Sequence, residues 1–286
     1  MKVLISADME GTCGVVSWIH VNALEVAPPG EPVNTGEYER ARLRMTREVN
    51  AAIAGAYDAG AEEVIVNDSH DGQRNLLPEE LDPRCRYITG SDKPLGMMQG
   101  IDLAGIGAVF FTGYHARSGT PNGPLAHTWN GWIQDVRIDG VSTGEFGINA
   151  AIAGHFGVPV ALVTGDRLAV EQTQAWCGNG VVGVAVKEGL STFAAIHMAP
   201  ARAQELIRAG AADAVRATGS LAPYRLPASA RVEVEVDHQA RADQMILVPG
   251  VERAGNRVVA YTAADGLDFI RKFRAVAKIG GIRMTP

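Results

Sequence analysis

The feature that most constrains this chain is an alternation. Short apolar runs of strand length are separated by longer segments of helical periodicity, and each run closes on polar or charged residues. Val3 to Ser6 is followed by Asp8 and Glu10, and Val64 to Asn67 by Asp68, Ser69 and His70. Val109 to Thr112 leads into Gly113, Tyr114, His115, Ala116 and Arg117. Helices are expected from about Thr35 to Ala59, Thr143 to His155 and Asp166 to Trp176, with strands over Val158 to Thr164 and Val181 to Val186. In the first helix Met45, Val49, Ala52 and Ala56 share a face, Asn34 and Glu37 have capping-box spacing, and Gly60 supplies a stop. Strands apolar on both faces and separated by helices predict an α/β fold with a mostly parallel sheet covered by helices.

The last third reads differently. Ala199 to Ala217 is an alanine-rich helix with Pro200 suited to its first turn, followed by a proline-bearing linker from Leu221 to Pro227. Val232, Val234 and Val236 alternate with Arg231, Glu233, Glu235 and Asp237, the period of a strand with one wet face. A strand near Arg257 to Thr262 and a helix from about Ala264 to Lys278 follow. The expectation is a catalytic α/β domain over residues 1–190 and a smaller C-terminal α+β domain over 191–286. A Pro/Gly-rich loop (Pro28, Pro29, Gly30, Pro32) is expected between the first strand and the first long helix.

Charge narrows the function classes. The net charge of −6 leaves no basic field for phosphates, so neither nucleic acid nor an anionic membrane surface is an expected partner. The span Phe146 to Gly165 contains Asn149, His155 and Pro159 and reads as helix, turn and strand rather than a membrane crossing. Cys13, Cys85 and Cys177 are odd in number and form no C-x-x-C pair, which fits a reducing compartment. With too short an apolar run at the N-terminus for a signal peptide, a cytoplasmic location is expected.

No phosphate-binding loop, H-E-x-x-H, G-x-S-x-G or S-x-x-K is present, and Gly105-x-Gly107 precedes a strand rather than following one. The polar residues at the ends of the apolar runs remain. In an open α/β sheet, parallel strands bring such groups to one edge, where ligands bind. The inventory there is carboxylates and imidazoles without thiolate, which suits zinc, manganese or iron. Asp8 and Glu10, at i and i+2 in extended chain, leave the same face. Forced together without a cation, they raise one pKa at a cost in stability. Asp8, Glu10, His70, His115 and Glu145 are enough to hold two divalent metals about 3.5–4 Å apart, a site that lowers the pKa of water from about 15.7 towards ~7.

Each residue also has a plainer reading. Asp8 and Glu10 can terminate a strand at the surface, His70 can sit in a turn, and Glu145, three residues after Ser142, equally fits a capping box. Asp166 is most simply an N-cap. Cys13 and Cys177 read as packed thiols, and His20, His155, His197 and His238 as structural histidines.

The same segments carry a resemblance. Ser6-Ala7-Asp8-Met9-Glu10-Gly11, Asn67-Asp68-Ser69-His70, Gly113-Tyr114-His115-Ala116-Arg117 and Gly144-Glu145-Phe146-Gly147-Ile148-Asn149-Ala150 resemble the DppA-type D-aminopeptidases, a zinc metallopeptidase family. Thr120-Pro121, Ala126-His127 and Leu162-Val163-Thr164-Gly165-Asp166 extend the match, which continues more weakly to about residue 275. The resemblance implies a two-domain α/β subunit, a homodecamer of two stacked pentameric rings and two zinc ions per subunit, with manganese or another divalent ion as a substitute. Asp8 is implied as the bridging carboxylate, Glu10 and His70 as completing one metal site, and His115 and Glu145 the other. His127 matches the family's active-site histidine, which is not a ligand. The chain departs from the pattern in longer segments over residues 14–32 and 116–127, the first containing Trp18 and His20, and Trp129 and Trp132 follow the second. The implied function is hydrolysis of a peptide or amide bond by an aminopeptidase that releases N-terminal (D-)amino acids from short peptides. A non-peptide amidohydrolase on the same metal pair is the alternative.

Overall fold

Successive residues of a strand face opposite sides, and in the first strand, β1 (Lys2–Ala7), both sides are buried. Val3, Ile5 and Ala7 enter one core and Leu4 the other. A strand of this kind needs a covering layer on each face, and the chain supplies both. The structure, a computed structural model, describes residues 1–25, 27 and 33–282. After β1 come α1 (Trp18–Val21), α2 (Thr35–Asp58), β2 (Glu63–Asp68), β3 (Arg86–Ile88) and β4 (Ile106–Tyr114). They are followed by β5 (Ile133–Ile138), β6 (Val141–Thr143), α3 (Glu145–His155), β7 (Val160–Asp166) and α4 (Arg167–Cys177). β8 (Val182–Ser191), β9 (Ala194–His197), α5 (Pro200–Ala217), β10 (Ala230–Val236), α6 (Gln239–Met245), β11 (Glu252–Arg253), β12 (Val258–Ala263) and α7 (Gly266–Gly280) complete the order. The expected loop of Pro28, Pro29, Gly30 and Pro32 lies outside the described residues.

The first sheet has the order β3-β2-β1-β4-β7-β8-β9 and is parallel except for the β8–β9 hairpin. From β1 the chain moves first to β2 and β3 on one side, then to β4, β7 and β8 on the other. The crevice beyond the carboxyl ends of β1 and β4 is therefore the point where the strand order reverses, the place where open α/β sheets bind ligands. α2 and α5 cover one face, with Met45, Val49, Ala52, Ala203, Ile207 and Ala211 buried against it. Gly55 lets these two helices approach closely: a Cβ there would lie 2.1 Å from the Arg208 carbonyl oxygen. The other face packs on α3, α4 and a second, antiparallel sheet of order β11-β12-β10-β5-β6.

The mostly parallel, helix-covered sheet and the additional α+β layer both match expectation, but their division differs from the one read from the sequence. The β5–β6 hairpin (133–143) precedes residue 190 yet belongs to the second sheet, pairing β5 with β10. β9 and α5 (194–217) follow residue 190 yet complete the first layer. A boundary at 190 therefore does not separate the two sheets. Valines 232, 234 and 236 share one core with Leu4, Val109 and Phe111, so the layers meet in continuous apolar packing.

Candidate metal centre

Local backbone fits bring the strand ends together. Asp8 N–H donates to Thr112 O (2.8 Å) and Gly11 N–H to Gly113 O (2.7 Å), pinning the turn after β1 to the end of β4. The approach is too close for side chains: a Cβ on Gly113, whose φ is +69°, would lie 2.2 Å from Asp8 O. After β2, Asp68 accepts from the backbone N–H groups of Asn75 (2.5 Å) and Leu76 (2.8 Å), fixing the segment that carries His70. After β4, Asp166 accepts from Ala116 N–H (3.0 Å) while capping α4 through Leu168 and Ala169. The expected N-cap thus also holds the His115 segment. Glu145 opens α3 behind Gly144 with no side-chain cap, and the Ser142 hydroxyl donates instead to Asp135 (2.8 Å). The capping-box reading of Glu145 is therefore excluded.

The five expected residues and His127 converge. His70 Nδ1 lies 3.0 Å from Glu10 Oε2 and 3.4 Å from Asp8 Oδ1. His115 Nε2 is 3.5 Å from both Asp8 Oδ2 and Glu145 Oε1. His127 Nε2 is 3.7 Å from Glu145 Oε1 and 4.0 Å from Glu10 Oε1, and its ring stacks on His115 with centroids 4.1 Å apart. Asp8 is 3% exposed and Glu10 2%, which rules out the plain surface-terminator reading for both.

The outer nitrogens fix the tautomers. His70 Nε2 faces Val21 O (3.0 Å), His115 Nδ1 faces Ala116 O (3.0 Å), and His127 Nδ1 faces Leu125 O (2.9 Å). A carbonyl oxygen only accepts, so each ring places an N–H outward, and its other nitrogen faces the carboxylates, where it can hold either a second proton or a metal ion. Asp8 Oδ2, Glu10 Oε2 and His115 Nε2 are buried with no hydrogen-bond partner. Lone pairs facing lone pairs in a buried site are unfavourable unless protons or cations lie between them. Ligand atoms of Asp8, Glu10 and His70 lie within 4.8 Å of one another, as do those of His115, His127 and Glu145. The donor set fits divalent metal, and geometry alone groups His127 with the second triad.

Electrostatics report the same crowding. Burial, and then Glu10 beside it, push the Asp8 carboxyl up to about 7. Burial acts upward on Glu10 too, but His70 and the other imidazoles outweigh it and hold Glu10 well below the usual range. Against burial, Glu10 and Asp8 raise His70 well above the usual range, and Glu145 and Asp8 raise His115 to about 10, so without metal both rings carry a second proton; burial and the charged His115 lower His127.

A cavity of about 320 Å³ opens over the cluster, bounded also by Trp18, Asn22, Gln73, Met97, Trp129 and Asn130. Trp129 donates its backbone N–H to Glu145 Oε1 (2.7 Å). Its φ of +68° costs a non-glycine residue roughly 1–2 kcal/mol. Behind the cluster, the buried Lys187 ammonium donates to the carbonyls of Glu10, Thr12 (3.3 Å) and Val15 (2.7 Å), using all three protons to hold the turn that carries Glu10. Glu48, also buried, accepts from Cys13 N–H (2.8 Å) in the same turn. The sequence reading passed over both. The available signal was a carboxylate between Met45 and Val49 on the apolar stripe of α2, and a lysine closing the wholly apolar run Val181 to Val186.

The remaining histidines lie away from the cluster, as expected. His20 and His197 accept backbone N–H groups from Val16 and Gly14, His238 caps α6, and His155 lies 3.7 Å from Asp265. All three cysteines are free, and Cys13 is buried with its Sγ on Met198 O.

A family model described as D-aminopeptidase matches residues 1–275. The chain belongs to the D-aminopeptidase family. Membership places it among the aminopeptidases and agrees with the resemblance carried by the strand-end motifs. A D-aminopeptidase of Bacillus subtilis (strain 168) is 35% identical over 271 residues, covering 94% of this chain and 93% of that protein. The solved structure of the Zn-dependent D-aminopeptidase DppA from Bacillus subtilis, described as a self-compartmentalizing protease, superposes with a TM-score of 0.91. It is 32% identical, and the match covers the whole of both chains. Among the described residues no helix is long and apolar enough to cross a membrane.

Proposed function

We propose that the protein is a two-zinc aminopeptidase that hydrolyses the first peptide bond of short peptides and releases an N-terminal D-amino acid. The observation that carries the reading is the inward convergence of three carboxylates and three imidazoles in a buried cluster, each ring held from behind by a backbone carbonyl. On this reading Asp8 bridges, Glu10 and His70 complete one zinc site, and His115 and Glu145 the other. Bound divalent ions, manganese in place of zinc included, supply Lewis acidity and lower the pKa of water from about 15.7 towards ~7.

The chain's own residues do the rest. His127, outside the ligand set, holds its Nδ1 proton on Leu125 O and leaves Nε2 free to take a proton and pass it to the departing amine. Its lowered pKa keeps that nitrogen available at neutral pH. Burial of the carboxylates excludes bulk water and strengthens each interaction with developing charge. Lys187 and Asp68 keep Glu10 and His70 in place without touching substrate.

The D preference, the zinc and the assembly are supported by the relatives, one named a D-aminopeptidase and one described as Zn-dependent and self-compartmentalizing. A homodecamer, the arrangement implied by the resemblance, is the proposed assembly, and the cytoplasm the proposed location. Residues 1–190 supply all six proposed site residues and stand as the catalytic part of the chain. The test is a panel of D-alanyl and L-alanyl peptides and simple amides, offered to zinc-loaded and chelated protein. Zinc-dependent release of D-alanine is expected. Turnover of non-peptide amides alone would favour the amidohydrolase alternative.

A further inference from the structure

Two indoles form part of the wall of the cavity over the reacting cluster, and they are held rigidly. Trp18 sets its ring edge-on against His127, with centroids 5.6 Å apart and planes at 76°. Its other side packs on the core formed with α2. Trp129 is fixed at three points. Its N–H is bonded to Glu145, its ring stands perpendicular to the buried Phe273 at 5.1 Å, and its far edge lies against Gly96, where a Cβ would come within 3.2 Å. A bulky residue in left-handed backbone needs such over-determination to persist. Met97, 4% exposed, adds an adaptable apolar surface to the same cavity. Both indoles remain half-buried and border the cavity.

The geometry points to a subsite, walled by Trp18, Met97 and Trp129, that selects an apolar and above all an aromatic side chain on the departing N-terminal residue. This rests on the proposed aminopeptidase reaction. The reacting carbonyl has to lie against the cluster, so the side chain on the adjoining carbon falls within reach of the cavity wall that borders it. That wall includes Trp18, whose ring meets His127, and Trp129, whose backbone N–H is held by Glu145. A flat ring placed edge-on or offset against an indole gains both buried area and a favourable quadrupole arrangement. A methyl group leaves the wall uncovered.

The test compares kcat/KM for alanine amide and phenylalanine amide, each as both enantiomers, with zinc-loaded protein. Amides carry only one side chain, so the comparison reads this subsite alone. The expected result is a preference for phenylalanine of about tenfold or more, the scale on which apolar pockets discriminate. In Trp129→Gly, which keeps the backbone N–H and accepts the positive φ, the ratio is expected to fall at least several-fold, and independently so in Trp18→Ala. A merely structural role would lower both substrates together and leave the ratio unmoved. Hydrolysis with a preference for alanine, or ratios unchanged in both variants, overturns the subsite while the reaction stands. No hydrolysis of any amide or alanyl peptide overturns the reaction and the subsite with it.

Discussion

Two patches of the molecule each gather three carboxylates, and they settle the charge in opposite ways. On the wet face of the second sheet, Asp135, Glu233 and Glu235 surround Arg137 at 2.9, 3.0 and 3.3 Å, with Arg231 and Arg257 bonded to the outer glutamates. The register that sets Arg137 opposite Glu233 makes this network, and each of its side chains is partly open to solvent. At the edge of the first sheet, Asp8, Glu10 and Glu145 are buried, and the titratable side chains that face them are the imidazoles of His70, His115 and His127. The first patch is complete within the chain. In the second no lysine or arginine among the described residues pairs with the carboxylates, and on the proposed reading divalent metal supplies the positive charge. Carboxylate density alone therefore does not mark a site; burial without a lysine or arginine partner does.

That contrast can be broken by substitution. The largest effect is expected from Asp8→Ala, which removes the carboxylate that approaches both His70 and His115. Turnover should fall roughly a thousandfold or more, with several kcal/mol of transition-state stabilisation lost, and the purified protein should lose its metal. Steady-state kinetics and elemental analysis check both. His127→Ala sharpens the assignment inside the cluster. It should keep its metal and lose about 10²–10⁴-fold in kcat, the range of one general acid–base group. Equal metal loss in the two variants would make His127 a ligand, as its grouping with His115 and Glu145 allows.

Glu48 lies between the two regimes, being buried beside Lys187 but with its Oε2 unpartnered. Burial raises its carboxyl from 4.5 to about 7 against the opposing Cys13 N–H and Lys187. A group that binds its proton more tightly when folded loses stability as pH rises, beginning near 4.5 and finishing above about 7. Glu48→Gln should therefore match the parent at pH 4 and exceed it by roughly 3 kcal/mol at pH 8, read from urea unfolding at each pH. The smallest effect belongs to the exposed network. Arg137→Met should cost under about 1 kcal/mol and leave kcat unchanged, since solvent screens pairs of this kind. A large loss of activity there would erase the distinction between the two patches.

Much of this was legible in the sequence because the strands of the first sheet are apolar on both faces, so their ends stand out as the places where charge begins. Asp8, Glu10, His70 and His115 were found in this way, and the reversal of strand order between β1 and β4 makes those ends neighbours. The N-caps Asn34 and Asp166 were legible because capping is local. The β5–β6 hairpin was not, since its partner β10 lies some 95 residues further along and no local pattern records that pairing. The place of α5 was hidden for a related reason: its small-residue contact with Gly55 of α2 depends on distant backbone. Lys187 escaped because a lysine just after the apolar run Val181 to Val186 reads as a surface residue until the turn it holds is folded over it.

The account stands most directly on where metal binds. An anomalous-difference map from crystals of the zinc-loaded protein should show two peaks, one among Asp8, Glu10 and His70 and one among Asp8, His115 and Glu145. Zinc peaks elsewhere on the molecule, with these side chains left facing one another, would contradict it.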